Sequence, residues 1–272
     1  GFPDPGELFS AFIQNLQPVN LSFSNSRSGQ HRNLVRAPGV QYRLGWIVDP
    51  DIPVDSAYIG LAGNRSVNVS QDFAVRTGYN FSRNVSATFN FSVGNSRLFT
   101  PNRVTRNVNR DMFLLQFKPE EYELKEEEVK GLPIPSWSIR WGGLEQLSLF
   151  EGLARSVSLN HSYQGRYVAN FRDGEQLSAT YTQNMQPLIG FRMTTMNDIS
   201  VQISYGTTKR VTAGYNSGLS SLDISNRRNI SLSGSYQHRG GLRLPIPFLR
   251  SLNMNNNLTT TFTFDYSNAE QL

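Results

Sequence analysis

Apolar and polar residues alternate with a period of two along most of this chain. The alternation is clearest over residues 67–79 and, after a turn near Ser82 and Arg83, over residues 85–93. Successive side chains of a β-strand point to opposite faces of the sheet, so this pattern is typical of strands. The two runs predict a long antiparallel hairpin with one apolar and one polar face.

Further copies of the alternation lie at 19–23, 177–181, 199–205, 211–215, 230–236 and 262–266. Together these runs predict roughly a dozen strands, many near the ~10 residues that a tilted strand needs to cross an outer membrane. Strands of ordinary β-sandwiches are shorter, usually ~5–6 residues. We therefore expect an all-β fold, an antiparallel transmembrane β-barrel segment that is part of a very large outer-membrane barrel.

The polar positions of these strands are seldom charged. They carry Ser, Asn, Thr, Gln and Gly rather than the Lys and Glu that guard the sheets of soluble proteins. Small neutral groups suit a face turned toward a water-filled lumen. The predicted lumen-facing residues are Asn68, Ser70, Ser86, Thr88, Asn90, Ser92, Ser200, Gln202, Ser231 and Ser233.

Five tyrosines lie at the ends of the strands that the alternation predicts. An aromatic girdle at the membrane–water interface would place them there. The alternative is that tyrosine simply favours strands. The residues concerned are Tyr79, Tyr163, Tyr205, Tyr236 and Tyr266.

Composition supports strands in an apolar surrounding. Charged residues make up 17% of the 272 residues and hydrophobic residues 38%, both low for a soluble globular protein. Disordered chains lack aromatic residues, whereas this chain has 17 Phe, 11 Tyr and 3 Trp. The net charge of +5 comes without a cluster of Lys and Arg interleaved with aromatic residues, so no nucleic-acid partner is expected.

Two segments interrupt the strand pattern. Residues 118–131, which include "PEEYELKEEEVK", are interpreted as an acidic loop insertion that is solvated or forms a short helix. Residues 142–155 are interpreted as a short helical insertion, because Leu144, Leu147 and Phe150 recur at helical spacing. This second insertion could lie at the membrane surface or fill a gap in the barrel wall.

No residues stand out as carrying chemistry. His31, His161 and His238 lie far apart and share no metal-ligand spacing. The chain has no cysteine, so a disulfide or a thiolate metal site is excluded. We expect no catalytic, cofactor-binding or metal-binding residues and no enzymatic activity.

A stretch in the middle of the chain resembles a known family. "PIPSWSIRWGGLEQLSLFEGLARSVSLNHSY" looks like the signature region of the SprA/Sov family, the outer-membrane translocon of the type 9 secretion system, which is linked to gliding motility. The resemblance covers roughly residues 130–240 and departs from the family pattern at Glu151 and Gly152. The matching signature residues are Pro133, Pro135, Trp137, Gly143, Leu144, Leu149, Phe150, Leu159, His161 and Tyr163.

The resemblance implies a gated conduit in the bacterial outer membrane. Such a protein would export folded cargo bearing a C-terminal secretion signal, including surface adhesins, and would have a shuttle barrel protein, a plug protein and outer-membrane lipid as partners, without any cofactor. Both ends of the chain look cut, so we expect residues 1–272 to be a fragment of one barrel domain. Two alternatives stay open: an ordinary porin or nutrient-uptake barrel, and an extracellular β-sandwich adhesin.

Overall fold

The fold was analysed in a computed structural model of the chain. It describes residues 14–44, 46–47, 52–53, 65–114, 124–126, 131–132, 134–238 and 258–271. The strands are β1 Asn20–His31, β2 Arg65–Asn80, β3 Val85–Thr100, β4 Arg103–Asp111, β5 Phe113–Leu114, β6 Gly131–Leu132, β7 Ser136–Trp141, β8 Ala154–Arg172, β9 Glu175–Thr195, β10 Ile199–Tyr215, β11 Leu219–His238 and β12 Leu258–Gln271. One helical turn, α1, spans Val40–Arg43, and a 3-10 helix spans Leu144–Gln146.

Ten of these strands form a single antiparallel sheet, in the order β1-β2-β3-β4-β8-β9-β10-β11-β12, with β7 lying between β3 and β8. The short strands β5 and β6 pair separately with each other. The all-β prediction is confirmed. Neighbours in the sheet are mostly neighbours in sequence, joined by tight turns such as Asp173-Gly174, where both residues have positive φ as a two-residue hairpin turn requires.

The predicted hairpin is confirmed as β2 and β3, which pair from Val67 with Phe99 to Asn80 with Ser86. The strands are much longer than the alternation alone indicated. Strands β8 and β9 have 19 and 21 residues, so at ~3.3 Å per residue each extends about 60 Å or more. They therefore continue well beyond the ~10 residues that a membrane crossing requires.

Most of the buried hydrophobic residues form two patches on one face of the sheet. The larger patch contains Tyr167, Ala169, Ala179, Val211 and Ala213, all completely or almost completely buried. The smaller patch, around Leu144 and Val157, lies where the β7–β8 connection folds back onto the sheet. Across the described ranges, no helix is long and apolar enough to span a bilayer.

Candidate functional site

One face of the sheet carries small neutral polar side chains. Directly paired residues of antiparallel strands point to the same side, so the register assigns faces across the whole sheet. Thr88 pairs with Ser138 and then Ser162, while Gln202 pairs with Ser233. All ten residues that were predicted to face a lumen lie on this side, which we call the polar face.

The opposite side, which we call the apolar face, carries a band of large apolar side chains that crosses nine strands. This apolar belt comprises the apolar-face residues of 21–23, 73–79, 85–93, 137–141, 157–163, 189–193, 199–205, 230–236 and 262–266. Many of its members are exposed, among them Phe23 at 71%, Ile189 at 60% and Phe262 at 60%. On β3 the belt extends about 27 Å along the strand, close to the ~25 Å apolar band of outer-membrane barrels.

The prediction that the tyrosines stand at strand ends is wrong for three of them. Tyr163, Tyr205 and Tyr266 lie well inside β8, β10 and β12, because these strands continue beyond the apolar run. Tyr205 is followed on the apolar face by Thr207 and Lys209, so it marks the border between apolar and polar side chains. The aromatic positions thus follow the edge of the belt rather than the ends of the strands.

Strands β4 and β7 lie end to end between β3 and β8, so together they fill one strand position of the sheet. Strand β3 pairs with β4 through residues 93–100 and with β7 through residues 85–90. Strand β8 does the same, pairing with β7 through 159–163 and with β4 through 166–172. The chain therefore leaves this place after Asp111 and returns at Ser136. The interrupted strand could not be read from sequence, because it depends on which partners β3 and β8 share.

Asp111 and Met112 bond to both neighbouring strands at the point of interruption. The Asp111 carboxylate accepts hydrogen bonds from the backbone N–H and the hydroxyl of Ser92, both at 2.9 Å. On the other side, the Met112 N–H donates to the carbonyl oxygen of Gly165 at 3.1 Å. Asp111 is only 2% exposed. These bonds satisfy backbone groups that the missing ladder pairs would leave unpaired.

Four residues of the predicted acidic insertion, 124–126 and 131, are described, and the first three lie against the sheet. Leu124 is fully buried in the larger apolar patch. Its carbonyl oxygen accepts hydrogen bonds from the Tyr167 hydroxyl at 2.9 Å and the Gln176 side-chain amide at 3.0 Å. Glu126 forms an ion pair with Arg106 at 3.0 Å. At 124–126 the chain is packed on the sheet rather than solvated, because Leu124 is buried and Glu126 is bonded to Arg106 of β4 and Gln176 of β9. Gly131 begins β6, and the rest of 118–131 lies outside the described residues.

Several residues that carry the family resemblance come together in space. The Trp137 ring stacks on the Tyr163 ring with centroids 4.2 Å apart, and His161 lies 6.4 Å from Trp137. Tyr163 is 1% exposed and its hydroxyl lies 3.2 Å from that of Tyr181. The ring nitrogen Nδ1 of His161 donates to the Leu188 carbonyl at 2.7 Å. His161 thus has a structural partner on the neighbouring strand.

The second insertion holds other signature residues against the apolar face. Leu144 and Phe150 pack with Val157 and Leu159 of β8. Gly143 has a positive φ of 73°, and a Cβ there would collide with the Asn84 side chain. Residues 144–146 form a 3-10 helix, and turns continue to Leu153, so the predicted helix of 142–155 is reduced to one short turn. Pro135 is partly exposed before β7, and Pro133 lies outside the described residues.

Glu145 ties this insertion to the start of β8. Its carboxylate accepts a hydrogen bond from the Val157 N–H at 2.9 Å. That bond favours the charged form and lowers the pKa of Glu145 below its ordinary value.

Within the described ranges, no three His, Asp or Glu side chains come together as metal ligands would. No model of a known protein family matches the chain, and no curated protein matches it either. The class that the fold defines is an all-β protein built on one wide, two-faced antiparallel sheet.

Proposed function

We propose that this chain forms part of the wall of a protein-conducting channel in the bacterial outer membrane. The channel would export folded cargo that bears a C-terminal secretion signal. The polar face would line the lumen, and the apolar belt would contact lipid. The strands would belong to a barrel larger than this chain alone can close.

The observation that carries the proposal is the division of the sheet into two contrasting faces. Apolar side chains as large as Phe23, Ile189 and Phe262 stand exposed in one continuous belt. Soluble monomers rarely leave an apolar patch of this extent uncovered. Lipid covers such a belt in outer-membrane barrels, whose strands alternate apolar and polar residues in the same way.

The chemistry of the polar face favours a protein as the transported molecule. The hydroxyl and amide groups of Ser, Thr and Asn bind water well, and the face holds few fixed charges, so a folded protein would meet few strong attachment points. Shallow depressions such as the one lined by Thr88, Ser138 and Ser162 are polar and open. The resemblance of Trp137, His161 and Tyr163 to a translocon signature supports the same interpretation.

The other candidate with support is a porin or nutrient-uptake barrel, because such a barrel has the same two faces. The number of strands separates the two, since porin-class barrels use roughly 8 to 18. A β-sandwich adhesin would need a second sheet packed about 10 Å from the apolar belt. The described residues contain only one large sheet.

Depletion of the protein from its native cell tests the proposal. Folded proteins with the C-terminal signal should then accumulate in the periplasm, as shown by fractionation and protease protection. Restoring expression should restore their export. Defects limited to small-solute uptake would contradict export of proteins and favour the porin. An antibody against this chain should also detect an intact outer-membrane protein well above ~100 kDa, since ~30–50 kDa corresponds to roughly 8 to 18 strands.

A further inference from the structure

Fixed charge is distributed unevenly over the polar face. Opposite the apolar belt, from β1 to β11, the exposed residues among those described on the polar face carry three charges, and all three are arginines. They are Arg76 on β2, Arg140 on β7 and Arg192 on β9. One carboxylate, Asp265, lies opposite the belt on β12, at the far edge of the sheet. Asp111 also lies on this face, but it is buried and its carboxylate is bonded to Ser92. Other acidic residues of the face, such as Asp72 and Asp223, lie beyond the belt.

The three arginines form a row in which one strand of the sheet separates each arginine from the next: β3 lies between β2 and β7, and β8 lies between β7 and β9. Arg76 pairs with Asn90, and Arg140 pairs with Ser86 on the same strand. Arg140 also pairs with Asn160, two residues along β8 from the partner of Arg192. With strands ~4.8 Å apart, the backbones of neighbouring arginines in this row are separated by about 17 Å and 12 Å.

The guanidinium groups are available to a passing molecule. All three side chains belong to exposed residues. Arg192 donates to the neutral Gln202 side chain at 2.7 Å, which orients the group without cancelling its charge. Arg76 and Arg192 each line an open depression in which most other residues are neutral and polar, such as Asn90 and Ser200. Neither depression contains an acidic residue among those that line it.

We propose that this row of arginines, Arg76, Arg140 and Arg192, selects for acidic polypeptide surfaces and small anions on the polar face. This inference rests on the proposed function and specifies the charge of what the channel accepts. Rings of Arg or Lys give pores a preference for anions. Arginine suits the role because its planar guanidinium binds carboxylates through two parallel hydrogen bonds. With a Debye length of ~8 Å at physiological salt, each arginine acts over its own neighbourhood, so the row would contact an acidic surface at separate points.

Ion selectivity of the intact native protein in planar bilayers tests the proposal. Under a KCl gradient the wild type should show a reversal potential on the anion side. The triple variant Arg76→Gln, Arg140→Gln and Arg192→Gln should shift it toward the non-selective value. The matched control removes three arginines that lie on the apolar face outside the belt, through Arg27→Gln, Arg97→Gln and Arg228→Gln. This variant should leave the reversal potential unchanged. A cation-selective wild type, or an equal shift in both triple variants, would overturn the proposal.

A binding measurement separates this inference from the proposed function. A fluorescent poly-glutamate peptide should bind the intact protein in detergent, and binding should weaken as salt rises. The triple variant of the row should bind at least about three-fold more weakly, the lower bound for three exposed charge contacts, while the control triple variant binds like the wild type. Binding of this kind without a conducting pore would keep the acidic-surface site and reject the channel. A pore without such binding and without anion preference would reject the site and keep the channel.

Discussion

The carboxylate of Asp111, the last residue of β4, accepts two hydrogen bonds from Ser92 of β3, one from its backbone N–H and one from its hydroxyl, each at 2.9 Å. Ser92 lies on β3 just where β4 has ended and β7 has not begun. Without the carboxylate, the partly buried N–H of Ser92 would lose this acceptor. A single acidic side chain thus lets the chain leave the sheet after Asp111 while the polar groups of Ser92 stay hydrogen-bonded.

We expect Asp111→Ala to lower the free energy of unfolding by about 1–3 kcal/mol, the cost of an unsatisfied buried donor. Asp111→Asn keeps one acceptor oxygen and should lose less. Urea denaturation followed by the fluorescence of Trp137 and Trp141 measures both variants. Equal stability of the alanine variant and the wild type would show that Ser92 has another acceptor.

Gly165 should resist substitution because two neighbours lie where its Cβ would be. An added Cβ would meet the Met112 carbonyl oxygen and the Tyr163 hydroxyl. Overpacking of this kind typically costs about 1–3 kcal/mol, so Gly165→Ala should destabilise the protein by about this amount. Gly234→Ala is the matched control, since nothing lies within 4 Å of a Cβ at Gly234. A similar loss of stability in both variants would mean that backbone freedom, not the close approach, sets the cost.

A charge in the apolar belt should hinder membrane assembly. Phe89→Arg, and independently Val201→Arg, should cost about 2–4 kcal/mol if the site lies near the bilayer midplane. Thr88→Arg places the same charge on the polar face of the same strand and should assemble normally. Phe89→Ala measures the loss of packing alone. The folded fraction in outer membranes, read from heat-dependent gel migration, checks the set; soluble, normally folded Phe89→Arg and Val201→Arg proteins would exclude a lipid-facing belt.

The anchor at Leu124 should protect Lys125 from trypsin. Tyr167→Phe and Gln176→Ala each remove one donor to the Leu124 carbonyl, at about 1 kcal/mol per hydrogen bond. Each should therefore raise cleavage after Lys125 roughly five-fold, and the double variant more. Tyr205→Phe, far from Leu124, should cleave like the wild type. Unchanged cleavage in the double variant would show that the two bonds do not hold this segment.

Glu145 should make the β7–β8 connection sensitive to acid. Its pKa is lowered in the folded state by the hydrogen bond from the Val157 N–H. Stability from this group is therefore present above the ordinary pKa of 4.5 and is lost as the pH falls through the lower folded value. Glu145→Gln should be less stable than the wild type at neutral pH, and the difference should shrink in acid. A difference that does not change with pH would assign the effect to something other than the charge.

Local alternation was enough to predict the hairpin of β2 and β3 and the shared face of residues such as Thr88 and Gln202. It was not enough for strand lengths, because the pattern changes where apolar-face residues become polar at Thr207 and Lys209 while the strand continues. Asp111, Gly165 and Leu124 gave no signal at all. Their roles depend on Ser92, Met112 and Tyr167, which lie 19 to 53 positions away in the chain at distances that only a fold brings together.

By itself, the sequence determined that this is a protein of β-strands with one apolar and one mostly neutral polar face. The reason is that side-chain direction in a strand follows from the backbone geometry of adjacent residues. The tertiary structure decided that β4 and β7 share one place in the sheet, that Leu124 is buried, and that Arg76, Arg140 and Arg192 form a row. These relationships arise from register between strands, which is set by non-local pairing and packing rather than by any local pattern.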